Sequence, residues 1–362
     1  MDFGLSDDQH LLEETLRGFL SDRVPIERVR ALRDEPCPLD RQIWRDLAEL
    51  GATGVLIPER DGGSGLGMLD AVIVAQALGY AVTPSAFLAS AVMAPVALSA
   101  LEDDRCGQWL AGIAAGEIVV GVAVTERFSV REEAGVSLEG GRLFGKAMMA
   151  LDACAADLIL LAWGEGGLAL VDRSAQGIQA NRLATTDATR CTSEVRVDGV
   201  MPLAIFEDAT VAITRALDAG RIALAADTLG ACESMIDRGV RYAGQRKQFD
   251  RLIGSFQAVK HMCAEMIAEL EPARSLLWYA GHAFDAFPEE APVLACHALS
   301  HISEIGREIA SISTQVHGGV GWTDEQNLHF WYKRIACARH LLGGPEALRE
   351  KAASLQSFGL AS

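Results

Sequence analysis

Arg246-Lys247-Gln248-Phe249-Asp250-Arg251-Leu252-Ile253-Gly254-Ser255-Phe256-Gln257-Ala258-Val259-Lys260-His261 joins two segments of helical periodicity and carries side chains suited to a phosphorylated ligand. Arg246 offers a planar fork of donors that pairs bidentately with a phosphate, a geometry Lys lacks. Gln257 offers a donor and an acceptor together. Alone, the stretch reads as an ordinary surface turn. A second stretch, Gln315-Val316-His317-Gly318-Gly319-Val320-Gly321, changes that reading. Gly318, Gly319 and Gly321 remove side chains where a backbone must approach a ligand closely, leaving amides to cradle oxygens. A lone Gly-Gly-x-Gly is more often structural, but the two stretches together point to a ligand site.

Working outward, residues 211–362 read as a helical bundle. Ile222, Ala223, Ala226, Leu229, Met235 and Ile236 keep a helical period, as do Val259, Met262, Cys263, Met266, Ile267 and Leu270. A further helix covers 293–314, with Pro288 and Pro292 marking the loop before it. Residues 117–210 change character. Val119–Val124 is a buried apolar run, and Leu158–Trp163 and Leu168–Val171 flank a Gly-rich turn as a hairpin. Glu194-Val195-Arg196-Val197 alternates, then meets an Asp198-Gly199 turn. Short strands with such turns predict a small antiparallel barrel or sandwich. Residues 1–116 return to helix: Ser6-Asp7-Asp8-Gln9 is a capping box, and a helix around Ile43-Trp44 stops at Gly51. The expected fold is therefore mainly α with a central β domain.

Composition bounds the function. The chain has 362 residues, half of them hydrophobic, and a net charge of −17, which fits a folded globular protein and argues against nucleic-acid or anionic-membrane binding. Its eight cysteines form no CxxC pair and read as small buried residues in a reducing compartment, so a cytoplasmic location is expected. The acidic start, Met1-Asp2-Phe3-Gly4, lacks the basic flank of a signal peptide. Ala71–Leu101 contains no charged residue, but Thr83-Pro84-Ser85 divides it, so it reads as two buried helices and not a membrane span.

The stretch from Arg246 to Gln257 resembles the R-x-x-F-x-x-x-I-x-x-F-Q signature of acyl-CoA dehydrogenases, and Gln315–Gly321 resembles their Q-x-x-G-G-x-G signature. Val122-Ala123-Val124-Thr125-Glu126 is similar to the start of their flavin-lining strand segment. The resemblance covers nearly the whole chain. It implies a helical domain, a β domain and a C-terminal four-helix bundle, FAD as cofactor, an acyl-CoA substrate and electron-transfer flavoprotein as acceptor. It also implies that Arg246, Phe249, Gln257, Gln315, Gly318 and Gly319 hold the ADP half of FAD, the arginine motif reaching into a neighbouring subunit's cofactor. Thr125 would lie by the flavin and Arg221 by the substrate.

In the family a glutamate removes the α-proton while the β-hydrogen leaves as hydride to the flavin. One of its two usual positions lies 27 residues after the glycine-motif Gln, which here is Leu342. The other immediately precedes a helix Arg, which here is Gly220 before Arg221. Neither is a carboxylate. The family's small-residue loop after Thr-Glu is also replaced, by Arg127-Phe128-Ser129-Val130-Arg131, and Met148 stands where a flavin-packing Trp is common.

This asymmetry resembles the base-lacking subunit of heterotetrameric (α2β2) enzymes that oxidise CoA thioesters of steroid side chains, in which a Glu-bearing partner completes the site. Two alternatives stand beside it. Asp218 would be a displaced base in an active homotetramer, its bland reading being a helix N-cap or first-turn acid. Alternatively, the chain is a non-catalytic scaffold or thioester-binding protein on this fold. Glu346 reads as a solvated helix-start acid after Pro345. His297, His301 and Glu304 share a helix face, where packing and an ion pair explain them better than a metal. His317 is a candidate for a place beside the cofactor. Phe330-Trp331-Tyr332 is left between stacking on adenine and a helix face buried against a neighbouring subunit.

Overall fold

A computed structural model describes residues 4–129, 131 and 133–358. Val130 of the altered loop and Met1–Phe3 of the acidic start lie outside the described residues. The helical start is α1 (Asp7–Arg23), with the Ser6/Gln9 capping box formed, then α2 (Ile26–Arg33) and α3 (Arg41–Glu49). α2 escaped the sequence reading because eight residues rich in Arg show little apolar periodicity. The uncharged stretch forms α4 (Met68–Tyr80), then a π-helical segment Phe87–Met93 running into α5 (Ala94–Ala100). Thr83–Ser85 breaks it as expected, whereas Pro95 sits where the π-helical segment runs into α5 and does not end the helix. α6 (Cys106–Ala114) follows. Among the described residues no helix is long and apolar enough to cross a membrane.

Eight strands make one sheet: β1 (Val120–Ala123), β2 (Gly135–Glu139), β3 (Arg142–Leu151), β4 (Leu158–Trp163), β5 (Gly167–Asp172), β6 (Ile178–Arg182), β7 (Thr192–Val200) and β8 (Ala204–Phe206). Their order is β6-β7-β3-β1-β4-β5-β8, with β2 on β3. The predicted β4–β5 hairpin is present, pairing Trp163 with Gly167. Two expectations need correction. The sheet is mixed, because the β2–β3 excursion returns β4 parallel to β1. Asp198-Gly199 is not a turn but lies inside β7, where Gly199 takes φ 67° at a register shift against β3. A bulge needs the same left-handed glycine as a tight turn, so the dipeptide cannot tell them apart.

The last part contains α7 (Thr210–Ala243), a two-stranded arm of β9 (Lys247–Gln248) and β10 (Arg251–Leu252), α8 (Gln257–Ala286), α9 (Ala291–His317), α10 (Leu328–Ala338) and α11 (Pro345–Leu355). The three long predicted helices are α7, α8 and α9.

The chain forms two compact units. One holds Arg30–Ala71 and Pro84–Ala223. Its core is the inner face of the sheet, with Val195 and Val197 alternating against exposed Arg196 as the sequence pattern required. The Asp157 carboxylate accepts from Val119 N and pairs with Arg41 at the start of α3, each at 2.8 Å.

The other unit holds the chain up to Val29, Val72–Thr83 and everything from Leu224 onward. Here α4 and α7 cross at van der Waals contact between backbones. A Cβ on Gly79 would stand 2.0 Å from Asp227 O, and one on Gly230 2.0 Å from Gln76 O. Only glycine fits either position. Arg334 of α10 forks onto the buried Asp227 carboxylate at 2.9 and 2.6 Å, tying α10 to the same crossing.

Candidate functional site

In the bundle unit the two sequence stretches sit at helix ends. α7 ends at Ala243; Arg246 N then donates to Tyr242 O, and Ile253 N donates back to Arg246 O, closing the β9–β10 arm. Phe249 and Asp250 turn the arm with φ 53° and 59°, leaving Phe249 fully presented to solvent. Phe256 anchors its base, edge-on to Phe249 at 6.2 Å and under the Arg251 guanidinium at 3.9 Å. Gln257 opens α8.

The glycine stretch closes α9. Gly318 leaves the helix with φ 66°, and its N–H returns to Thr314 and Gln315 carbonyls. The two ends are held together by rings: His317 stacks on Tyr242 with centroids 4.7 Å apart, and its Nδ1 meets Ser313 O at 2.8 Å. Burial lowers the His317 pKa below the usual histidine value, while the hydrogen bond to the Ser313 carbonyl acts the other way. Tyr242 carried no signal in the sequence, because its partner is 75 residues away.

The exposed donors of this end fit the ADP half of a dinucleotide. The Arg246 guanidinium and the Gln315 amide form no side-chain hydrogen bond or ion pair among the described residues, and Gln257 reaches only His261, at 3.5 Å. A Cβ on Gly318 or Gly319 would meet nothing within 4 Å, so open room lies over both backbones. A guanidinium, carboxamides and open glycine backbone are the donor set a pyrophosphate and adenine require.

In the sheet unit the residues expected near a flavin ring are engaged with the protein itself. Thr125–Arg127 is a 3-10 turn. Thr125 Oγ1 donates weakly to Met149 O at 3.4 Å, Glu126 accepts from Met148 N at 2.7 Å, and Arg127 donates to Gly164 O at 2.8 Å. The turn from Thr125 to Arg127 is thus tied to β3 and to the β4–β5 turn.

The two base positions hold no carboxylate. Leu342 is buried, with φ 55°, just before α11. Gly220 lies inside α7, next to Arg221. Asp218 is not a helix cap: α7 starts eight residues earlier, so Asp218 is interior and pairs with Arg221 at 2.8 Å, both almost fully buried. Glu346 is the solvated first-turn acid expected, pairing with Arg339 at 2.9 Å. Glu304 takes the same arginine at 2.8 Å. His297 instead faces Gln356 at 3.3 Å. Trp331 neither stands free for adenine nor waits for another subunit. It is buried in its own unit, under Arg238 at 3.8 Å, and its Nε1 donates to Tyr80 O at 2.8 Å.

Comparison with known proteins agrees with this layout. Residues 6–117 match the acyl-CoA dehydrogenase N-terminal domain, and residues 209–354 match the acyl-CoA dehydrogenase C-terminal domain. Acyl-CoA dehydrogenase IpdE2 of Mycobacterium tuberculosis is 30% identical over 95% of this chain and 96% of its own. A variant of the Tcur3481-Tcur3483 steroid ACAD superposes with TM-score 0.87 at 27% identity, covering 98% of this chain and 99% of that one. The ChsE4-ChsE5 complex from Mycobacterium tuberculosis does so with TM-score 0.88 at 25% identity, covering both chains fully. With matched domains at both ends, a full-length relative and a shared fold, the chain belongs to the acyl-CoA dehydrogenase family of oxidoreductases.

Proposed function

We propose that this chain is the base-lacking subunit of an FAD-dependent acyl-CoA dehydrogenase of α2β2 composition. A Glu-bearing partner supplies the catalytic carboxylate, and this chain completes the partner's cofactor site. The observation that carries the reading is a contrast within one chain. Arg246 and Gln315 keep exposed side chains with no partner among the described residues, beside exposed Gln257 and the open backbone of Gly318 and Gly319, while Leu342 and Gly220 leave both base positions without a proton acceptor. A pure scaffold has no physical need of a phosphate clamp.

In this reading Arg246 grips the pyrophosphate, Phe249 covers it, and Gln257 and Gln315 orient the adenosine side, all toward a neighbouring subunit. Thr125 and Arg221 belong to the ring and substrate sides. When bound, FAD supplies the acceptor for the β-hydrogen, and electron-transfer flavoprotein is the natural onward acceptor. The substrate class is the CoA thioester of a steroid side chain, supported by likeness to a steroid ACAD and to a two-protein ACAD complex. The work is cytoplasmic. Regions 1–116, 117–210 and 211–362 serve as helical, strand and bundle domains.

Native mass spectrometry of the chain co-expressed with proteins encoded beside it tests the proposal. A mixed tetramer carrying FAD, active only when mixed, is expected. Full turnover by the chain purified alone overturns it.

A further inference from the structure

Within the bundle unit, α1, the α1–α2 link, α4, α7 and α10 enclose a cavity of about 430 Å³ that contains none of the residues assigned above to FAD or acyl-CoA. Its volume lies in the range of small-ligand sites. Its lining is part apolar, with Leu20, Val24, Ile26 and Ala77, and part basic, with Arg17, Arg238 and Arg241.

Two of the polar groups are already satisfied. Arg17 pairs with Glu13 at 2.9 Å and Glu233 at 2.8 Å, and lies over the Tyr80 ring. Tyr80 in turn donates its hydroxyl to Asp237 at 2.8 Å. Arg238 is different. Its guanidinium lies 3.8 Å over the Trp331 ring, and its hydrogen bond is a long one, 3.4 Å, from Nε to Ser234 Oγ. It has no ion pair among the described residues. Burial, and then the neighbouring Arg241, act against its charge and pull its pKa below the ordinary arginine value, while Tyr80 and Asp237 act the other way. Arg241, one turn further along α7, lines the same cavity, also without an ion pair. The carboxylates on the lining are Glu27 and Asp237, neither paired with Arg238.

A desolvated cation without a counter-ion is costly, and here stacking on Trp331 fixes it in place at a cavity that Leu20, Val24, Ile26 and Ala77 also line. We infer that this cavity binds a small organic oxyanion: its carboxylate or phosphate sits on Arg238 and Arg241, and its apolar body lies against Leu20, Val24 and Ile26. Such a ligand bridges α1 to α7 and α10, so it also ties the N-terminal helix to the bundle. The site is independent of the proposed α2β2 reading.

Calorimetry on the full chain, in the assembly in which it purifies, tests this with hexanoate, hexyl phosphate, inorganic phosphate and hexan-1-ol. Hexanoate or hexyl phosphate is expected to bind at one site per chain, the stronger of the two identifying the anion class. Hexan-1-ol is expected not to bind, and inorganic phosphate to bind more weakly than its hexyl ester. Arg238→Met lowers affinity by about tenfold or more, the worth of a charge-assisted hydrogen bond. Arg241→Ala, at the exposed rim and away from the Trp331 stack, lowers it by about threefold and keeps the test open if Arg238→Met does not fold. Arg60→Ala, a well-exposed arginine outside the cavity lining, leaves it unchanged. Binding of hexan-1-ol as tight as that of hexanoate, no binding of either hexyl anion, or unchanged affinity in Arg238→Met or in Arg241→Ala overturns the inference.

Discussion

Asp218 and Arg221 face each other across one turn of α7, Oδ1 to Nη1 at 2.8 Å, with almost no solvent on either. This is a structural pair before it is anything else: a carboxylate engaged by a guanidinium is a poor proton acceptor. Asp218→Asn is therefore expected to destabilise the fold by about 3 kcal/mol, since it removes one charge of a buried ion pair. Turnover of the co-expressed enzyme, measured at a temperature where the variant is folded, should fall less than tenfold. Denaturant titration and steady-state turnover check the two halves. A collapse of turnover by several orders of magnitude in a homomer would make Asp218 the displaced base.

The α4–α7 crossing gives a prediction independent of function. A Cβ at Gly230 would stand 2.0 Å from Gln76 O, which is backbone and cannot swing aside. Gly230→Ala should cost about 3 kcal/mol through forced separation of the helices, against the small gain that alanine brings to an exposed helix position. Gly18→Ala on α1, whose Cβ would meet nothing within 4 Å, is the matched control and should be neutral or mildly stabilising. Thermal denaturation of the two variants separates steric contact from helix propensity.

The long helices and the β4–β5 hairpin were legible because each rests on local pattern: a period of 3.6 or a glycine turn. Asp198-Gly199 misled because a bulge and a turn use one backbone conformation. Asp218 was misplaced because nothing near Asp218 marks where a 34-residue helix begins. The Tyr242–His317 stack, the Gly79–Asp227 approach and the Trp331–Tyr80 hydrogen bond join residues far apart in sequence, and no local pattern encodes such pairs.

His317 adds a pH dependence. Its folded pKa lies below the unfolded value because burial disfavours the imidazolium, while the Ser313 carbonyl acts the other way. Below the unfolded pKa, about 6.5, the unfolded chain therefore binds a proton that the folded chain resists. The stabilisation is fully present above that pH and is lost as pH falls through the folded pKa. His317→Gln should flatten the stability profile below about pH 6.5. In NMR titration the His317 ring should titrate below the ordinary histidine value of about 6.5. A His317 that titrates at or above the ordinary value would mean the stacked ring is charged.

The last prediction concerns the arm. Arg246 is exposed and unpaired in the single chain, so replacing it should barely change the stability of that chain. In the assembled enzyme the same guanidinium would lie on a pyrophosphate, where a charge-assisted hydrogen bond is worth about 1.5–3 kcal/mol. Arg246→Lys keeps the charge but loses the planar fork, and should weaken FAD retention by about tenfold. Arg246→Ala should weaken it by about a hundredfold. Flavin-to-protein absorbance after extensive dialysis of the co-expressed complex reads both, with the melting temperature of the isolated chain as control. Loss of flavin together with loss of the chain's own stability would assign Arg246 to the fold. Loss of flavin at unchanged chain stability is the signature of a residue whose ligand lies across a subunit boundary.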